Sequence, residues 1–389
     1  MTELLRICEA GRKLASSDGR LLAADDERAL WLATVVRVVG SGYRRPGARL
    51  LFTRDRPVAG SVSGGCLEKD LIRTGPWLAA RGPVVKTYDA REEDSAPVAR
   101  TGCGGSVDIL IESLDPRLLE SLGRALLEEA RVLSITVHAS RHRALRVGER
   151  MLFREHEAEP VFETVHEPWF RREFARVSKE ALRSGSGTCT WVSDSFDALV
   201  EVVEPPPHLF VFGLGEDVRS VVELARTLGW NVSVAGPHVS VSARERFFGK
   251  AQLLEGPPSA VVQRLERCAR PLALLMSHDY ERDKDALGAL IGSRARYIGV
   301  LGPMRRTERL LTELEQSGRG VSPEMRSRVH GPAGLHLGGD TAPEVALSIV
   351  AEAQAALWAA SGVPLSLRDA AIHEPTPVVL TQAFEALGA

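Results

Sequence analysis

The chain has 389 residues, 49 Lys plus Arg against 51 Asp plus Glu, and 44% hydrophobic residues, the composition of an ordinary globular protein long enough for two domains. A pI near 6.6 excludes the diffuse basic field of nonspecific nucleic-acid binding, so no nucleic-acid partner is expected. No run of about 18 apolar residues occurs and Met1–Arg6 lacks a basic segment followed by an apolar one, so the expected setting is cytoplasmic, with no membrane partner.

Residues 1–16 carry Leu4, Leu5, Ile7 and Cys8 at roughly helical spacing, and a helix is expected before the Ser-Ser-Asp-Gly-Arg breaker. Trp31–Val39 is a valine-rich apolar run closed by Gly40-Ser41-Gly42, which reads as a buried strand entering a glycine turn. Arg44, Arg45 and Arg49 flank Pro46-Gly47 before a second strand near Arg49–Thr53. Three guanidiniums beside such a turn suit phosphate recognition, and a solvated cationic loop is the other reading of the same residues.

Next comes Gly60-Ser61-Val62-Ser63-Gly64-Gly65-Cys66-Leu67-Glu68, with a helical pattern from Leu67 to Arg73 that places Cys66 and Glu68 at a helix N-terminus. A strand near Val84–Tyr88 leads through a polar loop to Thr101-Gly102-Cys103-Gly104-Gly105 and an apolar strand at Val107–Ile111. Asp115-Pro116 opens a helix running to about Ala130, strands are expected at Leu133–His138 and Leu145–Phe153, a helix at Trp169–Ser184 and a strand at Ala198–Val203. Pro205-Pro206-Pro207 is a stiff spacer, and the domain boundary is placed there: residues 1–204 form the first domain and 208–389 the second.

Beyond the prolines the pattern alternates strand and helix. His208–Phe212 is apolar, Gly213-Leu214-Gly215 turns, Val218–Leu228 is helical and Val232–Ala235 is a second strand, the start of a Rossmann-like βαβ unit. Leu272–Met276 and Tyr297–Leu301 read as further parallel strands, and Thr341 with Glu344 makes a capping box for a helix to about Ala360. The expected fold class is therefore α/β, an N-terminal domain with a mixed sheet followed by a parallel-sheet Rossmann-like domain.

The five cysteines are few, odd in number and without a CxxC pair, which speaks against a disulfide framework or structural zinc. Free cysteine is commonly buried and inert, and Cys8, Cys189 and Cys268 are read that way. Cys66 and Cys103 differ, because each is flanked by glycines that let backbone N–H groups approach a ligand. The turn at Gly213 and Gly215 has two of the three glycines of the dinucleotide fingerprint, with Val218 in the third place and no acid at Gly236, which speaks against NAD(P). His278 and Asp279 follow a strand end where open α/β sheets place ligands, so His278 is an acid, base or ligand candidate, or a hydrogen-bonded structural histidine.

Together, Arg44–Arg49, Ser63–Glu68 and Gly102-Cys103-Gly104-Gly105 resemble the N-terminal domain of the XdhC/CoxI family. Gly213-Leu214-Gly215, His278 with Asp283, Tyr297–Gly302, Gly331–Leu335 and Thr341–Glu344 resemble that family's Rossmann domain, in the family's order. The resemblance implies a maturation factor that binds molybdenum cofactor, in its simple molybdopterin or cytosine dinucleotide form, and presents it to a cysteine desulfurase for sulfuration. The factor then delivers it to a molybdenum hydroxylase apo-enzyme such as xanthine or carbon monoxide dehydrogenase.

Carried onto this chain, that function makes Cys103 the first candidate to touch the cofactor, as a molybdenum ligand, and Cys66 with Glu68 the second. Gly64, Gly65, Gly102 and Gly104 shape the two turns, Arg44, Arg45 and Arg49 hold the phosphate end, and Gly213, Gly215 and His278 contribute from the second domain. A second copy of the chain is a further candidate partner. Glu216, Val218 and Gly236 stand where family members often carry histidine, glycine and aspartate. The rival readings are an NAD(P)-dependent oxidoreductase using His278, and a docking protein that has lost cofactor binding.

Overall fold

The computed structural model describes residues 2–14, 29–40, 43–89, 105–155, 157–184, 187–367 and 378–380. They form two compact units, one built from Glu3–Glu204 with the strand Val378–Leu380, the other beginning at Pro205. Among the described residues no helix is long and apolar enough to cross a membrane.

The first unit opens with helix α1 (Glu3–Leu14), followed by β1 (Trp31–Val39), β2 (Arg49–Phe52), β3 (Pro57–Gly60), α2 (Glu68–Leu78), β4 (Val84–Asp89) and β5 (Ser106–Ser113). The five strands make one wholly antiparallel sheet in the order β3-β2-β1-β5-β4. Alternation along β1 sends Trp31, Ala33 and Val35 to the α2 side and Leu32 to the other, so both faces are buried and the strand reads as a continuous apolar run.

Helix α3 (Pro116–Leu127) leads into β6 (Val132–Ser140), β7 (Arg150–Arg154), β8 (Phe162–Glu163), α4 (Pro168–Ser184), β9 (Thr188–Val192) and β10 (Phe196–Val203). Asp115 caps α3 by accepting from the Arg117 N–H at 3.0 Å, with Pro116 in the first turn. These strands form a second sheet in the order β9-β10-β6-β7-β8, and Val378–Leu380 adds a parallel edge strand beside β9, which makes this sheet the mixed one. The strand expected over Leu145–Phe153 is shorter, because residues 141–149 fold into a turn in which the Gly148 N–H donates to Val137. Val36, Leu110 and Leu199 join the two sheets. Gly123 of α3 packs against Cys8 of α1, and burial raises the Cys8 thiol to about 11, so it stays a neutral packing group.

The second unit alternates β11 (His208–Phe212), α5 (Val218–Thr227), β12 (Asn231–Gly236), α6 (Val241–Phe247), β13 (Gln252–Glu255), α7 (Pro258–Leu265), β14 (Pro271–Leu275) and α8 (Tyr280–Leu290). It continues with β15 (Ile298–Val300), α9 (Met304–Gln316), α10 (Pro323–Ser327), β16 (Val329–His330) and α11 (Ala342–Leu357). All six strands are parallel, in the order β13-β12-β11-β14-β15-β16. This is the doubly wound order, and its direction reverses between β11 and β14, where such sheets open a ligand crevice beyond the strand ends.

Gly213 closes that reversal. Its φ is +152°, and a Cβ there would stand 2.2 Å from the Met276 carbonyl oxygen. Gly213→Ala is therefore expected to destabilise this unit by about 2 kcal/mol or more, read as a lower urea midpoint at unchanged slope.

Candidate functional site

Antiparallel pairing brings the ends of five strands to one edge of the first sheet. β1 ends there at Val39, β2 begins at Arg49, β3 ends at Gly60, β4 ends at Asp89 and β5 begins at Ser106. The connections 40–48 and 61–67 therefore leave the sheet along one edge and carry Arg44, Arg45 and Cys66, while Arg49 is the first residue of β2. Residues 101–104, and with them Gly102, Cys103 and Gly104, lie outside the described residues.

The Cys66 loop is organised by Glu68. This carboxylate is only 8% exposed and accepts from Ser61 Oγ at 2.7 Å, from the N–H groups of Val62, Ser63 and Gly65 at 3.0, 2.9 and 2.9 Å, and from Ser63 Oγ. Ser61 Oγ accepts from the Gly64 N–H, and Ser63 Oγ from the Leu67 N–H. Burial by itself would raise the Glu68 pKa. The hydroxyls of Ser63 and Ser61 and the loop N–H groups outweigh that and hold it at about 2.

Gly64 and Gly65 complete the turn at φ +80° and +120°. A Cβ on Gly64 would lie 2.7 Å from the Tyr43 ring, so this glycine also admits a close neighbour. Cys66 follows, exposed, immediately before the first turn of α2. Glu68 is thus an internal anchor that holds the thiol loop, and its oxygens are occupied by the chain itself. Sequence reasoning missed Ser61 and Ser63 as site residues. Their signal is a hydroxyl-rich run preceding a Glu at a helix start, the pattern of helix capping.

The three arginines divide. Arg49 is 6% exposed and makes a two-pronged pair with Glu201 of β10 at 3.1 and 2.6 Å, and it also donates to the Gly47 carbonyl at 2.8 Å. The expectation that Arg49 holds a phosphate is corrected: its guanidinium is buried and committed to fastening the Gly47 turn to the second sheet. Arg44 is paired with Glu3 of α1. Arg45 is exposed and has no partner among the described residues, so it alone of the three keeps a full set of donors for an incoming anion.

At the strand reversal of the second unit, His278 projects where the sequence places it, at the end of β14. Its φ is +57°, uncommon for a residue with a side chain, and its Nε2 lies 2.8 Å from Asp217 Oδ2 on the turn after β11. The turn carrying His278 is braced from below: buried Asp283 accepts from Ser277 Oγ at 2.6 Å and from Arg306 Nη2 at 2.7 Å. Asp217 was missed by sequence reasoning, because no spacing rule links it to His278.

The fold suggests a dinucleotide, and the residues do not fit one. Glu216 and Asp217 put two carboxylates where the pyrophosphate would meet the start of α5. Arg246 ties Glu216 at 2.6 Å and the Leu214 carbonyl at 2.7 Å. The Leu214 side chain lies 2.6 Å from where a Cβ on Gly236 would stand, covering the end of β12 on which the ribose would rest. Glu255, in register with Gly236 on β13, offers a carboxylate nearby, but it accepts from the Val239 N–H and pairs with His238 and Arg244.

Fold and site together define a two-unit α/β protein, with a glycine-turned thiol loop at one sheet edge of the first unit and a doubly wound parallel sheet in the second. Residues 209–353 match the XdhC Rossmann domain and residues 23–89 the XdhC and CoxI family, two family models that together span more than half the sequence. The chain belongs to the XdhC/CoxI family.

It is 26% identical over 344 residues to a probable xanthine dehydrogenase subunit of Bacillus subtilis, covering 85% of this chain and 94% of that one. It is 27% identical over 184 residues to the uncharacterized protein YqeB of Escherichia coli, covering 47% of this chain and 32% of that one. Among solved structures, a xanthine dehydrogenase from Bacillus halodurans superposes with a TM-score of 0.66 at 24% identity, over 95% of this chain and 98% of that one, and shares the fold.

Proposed function

We propose that this protein is a maturation factor for a molybdenum hydroxylase of the xanthine dehydrogenase kind. In this reading it binds molybdenum cofactor at the loop edge of its first unit, protects it, supports its sulfuration and delivers it in the cytoplasm. Family membership and the relative named as part of a xanthine dehydrogenase support the coarse role. The observation that carries the site is the exposed Cys66 thiol, held at the sheet edge by a glycine turn that the buried Glu68 carboxylate anchors.

The groups on this edge fit such a ligand. Cys66 presents a thiol to solvent. Arg45 supplies a guanidinium for a phosphate, and Gly65, with nothing within 4 Å of its Cβ position, keeps the turn open to close approach. The bound cofactor would supply the molybdenum centre whose ligand is exchanged. The chain supplies orientation, a thiol contact and shelter from water, and takes no chemical step of its own. The partners in this reading are the apo-hydroxylase, a cysteine desulfurase and a second copy of the chain.

The test is the molybdenum and pterin content of protein incubated with free cofactor and desalted, for wild type, Cys66→Ala and Cys103→Ala, with NADH titrated in parallel. Retention by wild type, a loss of tenfold or more in at least one cysteine variant, and no saturable NADH binding are expected. No retention together with saturable NADH binding would replace this reading with the oxidoreductase, and binding of neither ligand would leave a docking role.

A further inference from the structure

The two sheets of the first unit meet at Val36, Leu110 and Leu199, and each is irregular beside that contact. The register of β1 against β5 slips between Val35 and Arg37, leaving Val36 as an extra residue. The register of β10 against β6 slips between Asp197 and Ala198, which pair with Ala139 and Val137 and leave His138 as the extra one. Bulges re-aim side chains and gather beside functional sites.

His138 is 5% exposed, and its Nε2 is buried with no hydrogen-bond partner among the described residues. A buried polar nitrogen left without a partner is uncommon in a native fold. The charged groups acting on the ring come from both sheets: Asp197 and Arg141 from its own, Asp108 and Arg37 from the other. The two carboxylates have partners elsewhere, Asp197 in Arg141 and Asp108 in the Thr87 hydroxyl, both at 2.7 Å. Arg37 is exposed and has no partner among the described residues. Arg37 and Asp108 are paired positions two residues inside the edge from which the Cys66 loop leaves.

We infer that the bulged junction of the two sheets is an oxyanion subsite in which Arg37 and His138 take a phosphate group. Burial lowers the imidazole pKa and favours the neutral ring, which keeps one N–H to donate. A phosphate monoester has three outer oxygens, enough to accept from the planar Arg37 fork and from the imidazole together. The subsite supplies a second guanidinium to the loop edge, where Arg49 is committed to Glu201 and Arg45 has no partner among the described residues. Identifying the phosphate as the cofactor's own rests on the reading above, whereas the subsite rests on these residues.

The test uses the full chain with inorganic phosphate and glycerol 3-phosphate as probes, followed by calorimetry and by NMR of the His138 ring, with chloride at matched ionic strength as control. Saturable binding with a shift of the His138 ring is expected, weakened tenfold or more by Arg37→Gln, an exposed position that leaves the fold intact. Tighter binding of the ester would name an esterified phosphate as the ligand, and tighter binding of inorganic phosphate would name the free ion. Absence of saturable binding in wild type, or binding unchanged in Arg37→Gln, would overturn the subsite, and the wild-type ring shift decides the role of His138 without any variant of it. Cofactor retention with no change at His138 would overturn the subsite and leave the maturation reading standing. Phosphate binding at Arg37 and His138 in a protein that retains no cofactor would do the reverse.

Discussion

Replacing Glu68 by alanine is expected to release the Ser61–Gly65 loop and to lower the stability of the first unit by about 3 kcal/mol or more. Five donors converge on this one carboxylate, and three of them are backbone N–H groups within one short loop. Glu68→Gln keeps the shape and one acceptor oxygen, so about half that loss is expected.

The sign of the pH dependence follows from the depressed pKa. With about 4.5 for the free side chain and about 2 in the folded protein, the carboxylate contributes about 3 kcal/mol that is fully present above about pH 4.5. That contribution is lost as pH falls towards 2. Urea denaturation of wild type and Glu68→Gln at pH 7 and pH 3 checks this, the gap between them narrowing at the lower pH. Equal midpoints at pH 7 would show that the loop does not depend on the anchor. A further consequence is functional: with Cys66 untouched, Glu68→Ala should still weaken cofactor retention, because the thiol would no longer be held at the start of α2.

The second large effect concerns Arg49 and Glu201, whose side chains are 6% and 5% exposed. Arg49→Met leaves a buried carboxylate without its partner, and a loss of about 3 to 5 kcal/mol is expected. Glu201→Leu alone strands the guanidinium and should cost a similar amount. The double variant removes both charges and is expected to recover most of the loss, since a buried pair replaced by apolar groups of similar volume is often close to neutral. The strongly non-additive cycle in urea denaturation is the measurement. Were Arg49 instead a phosphate contact, Arg49→Met would leave stability nearly unchanged and weaken only ligand binding. The geometry of Gly47 agrees with the structural role, since a Cβ there would stand 2.5 Å from Glu201 Oε1, so the turn and the carboxylate are fitted to each other.

Much of this molecule is legible in one dimension. β11 and β14 are apolar strands buried on both faces, and β1 and β5 have buried apolar centres, Trp31–Val36 and Ile109–Ile111, so each shows an apolar run, and the switch from irregular spacing to strand–helix alternation after Pro205–Pro207 marks the parallel sheet. Edge strands such as β3 and β13, each four residues long, leave no such run and escape a sequence reading. The glycine-flanked Cys66 and the histidine at the end of β14 are also visible, because backbone chemistry at turns is local.

What the local pattern cannot carry is the allocation of charge. Arg44, Arg45 and Arg49 look alike within six residues, yet one finds a carboxylate 152 positions away, one pairs with α1, and one has no partner among the described residues. Likewise His278 meets Asp217 across 61 positions, and the bulges that isolate His138 exist only once the strands have paired. The sequence by itself determined which segments are buried and where the chain must turn, since burial and turn formation depend on neighbouring residues. Only the tertiary structure decided which polar groups are spent on holding the fold and which are left to bind, because a charge is satisfied by whatever the fold brings beside it.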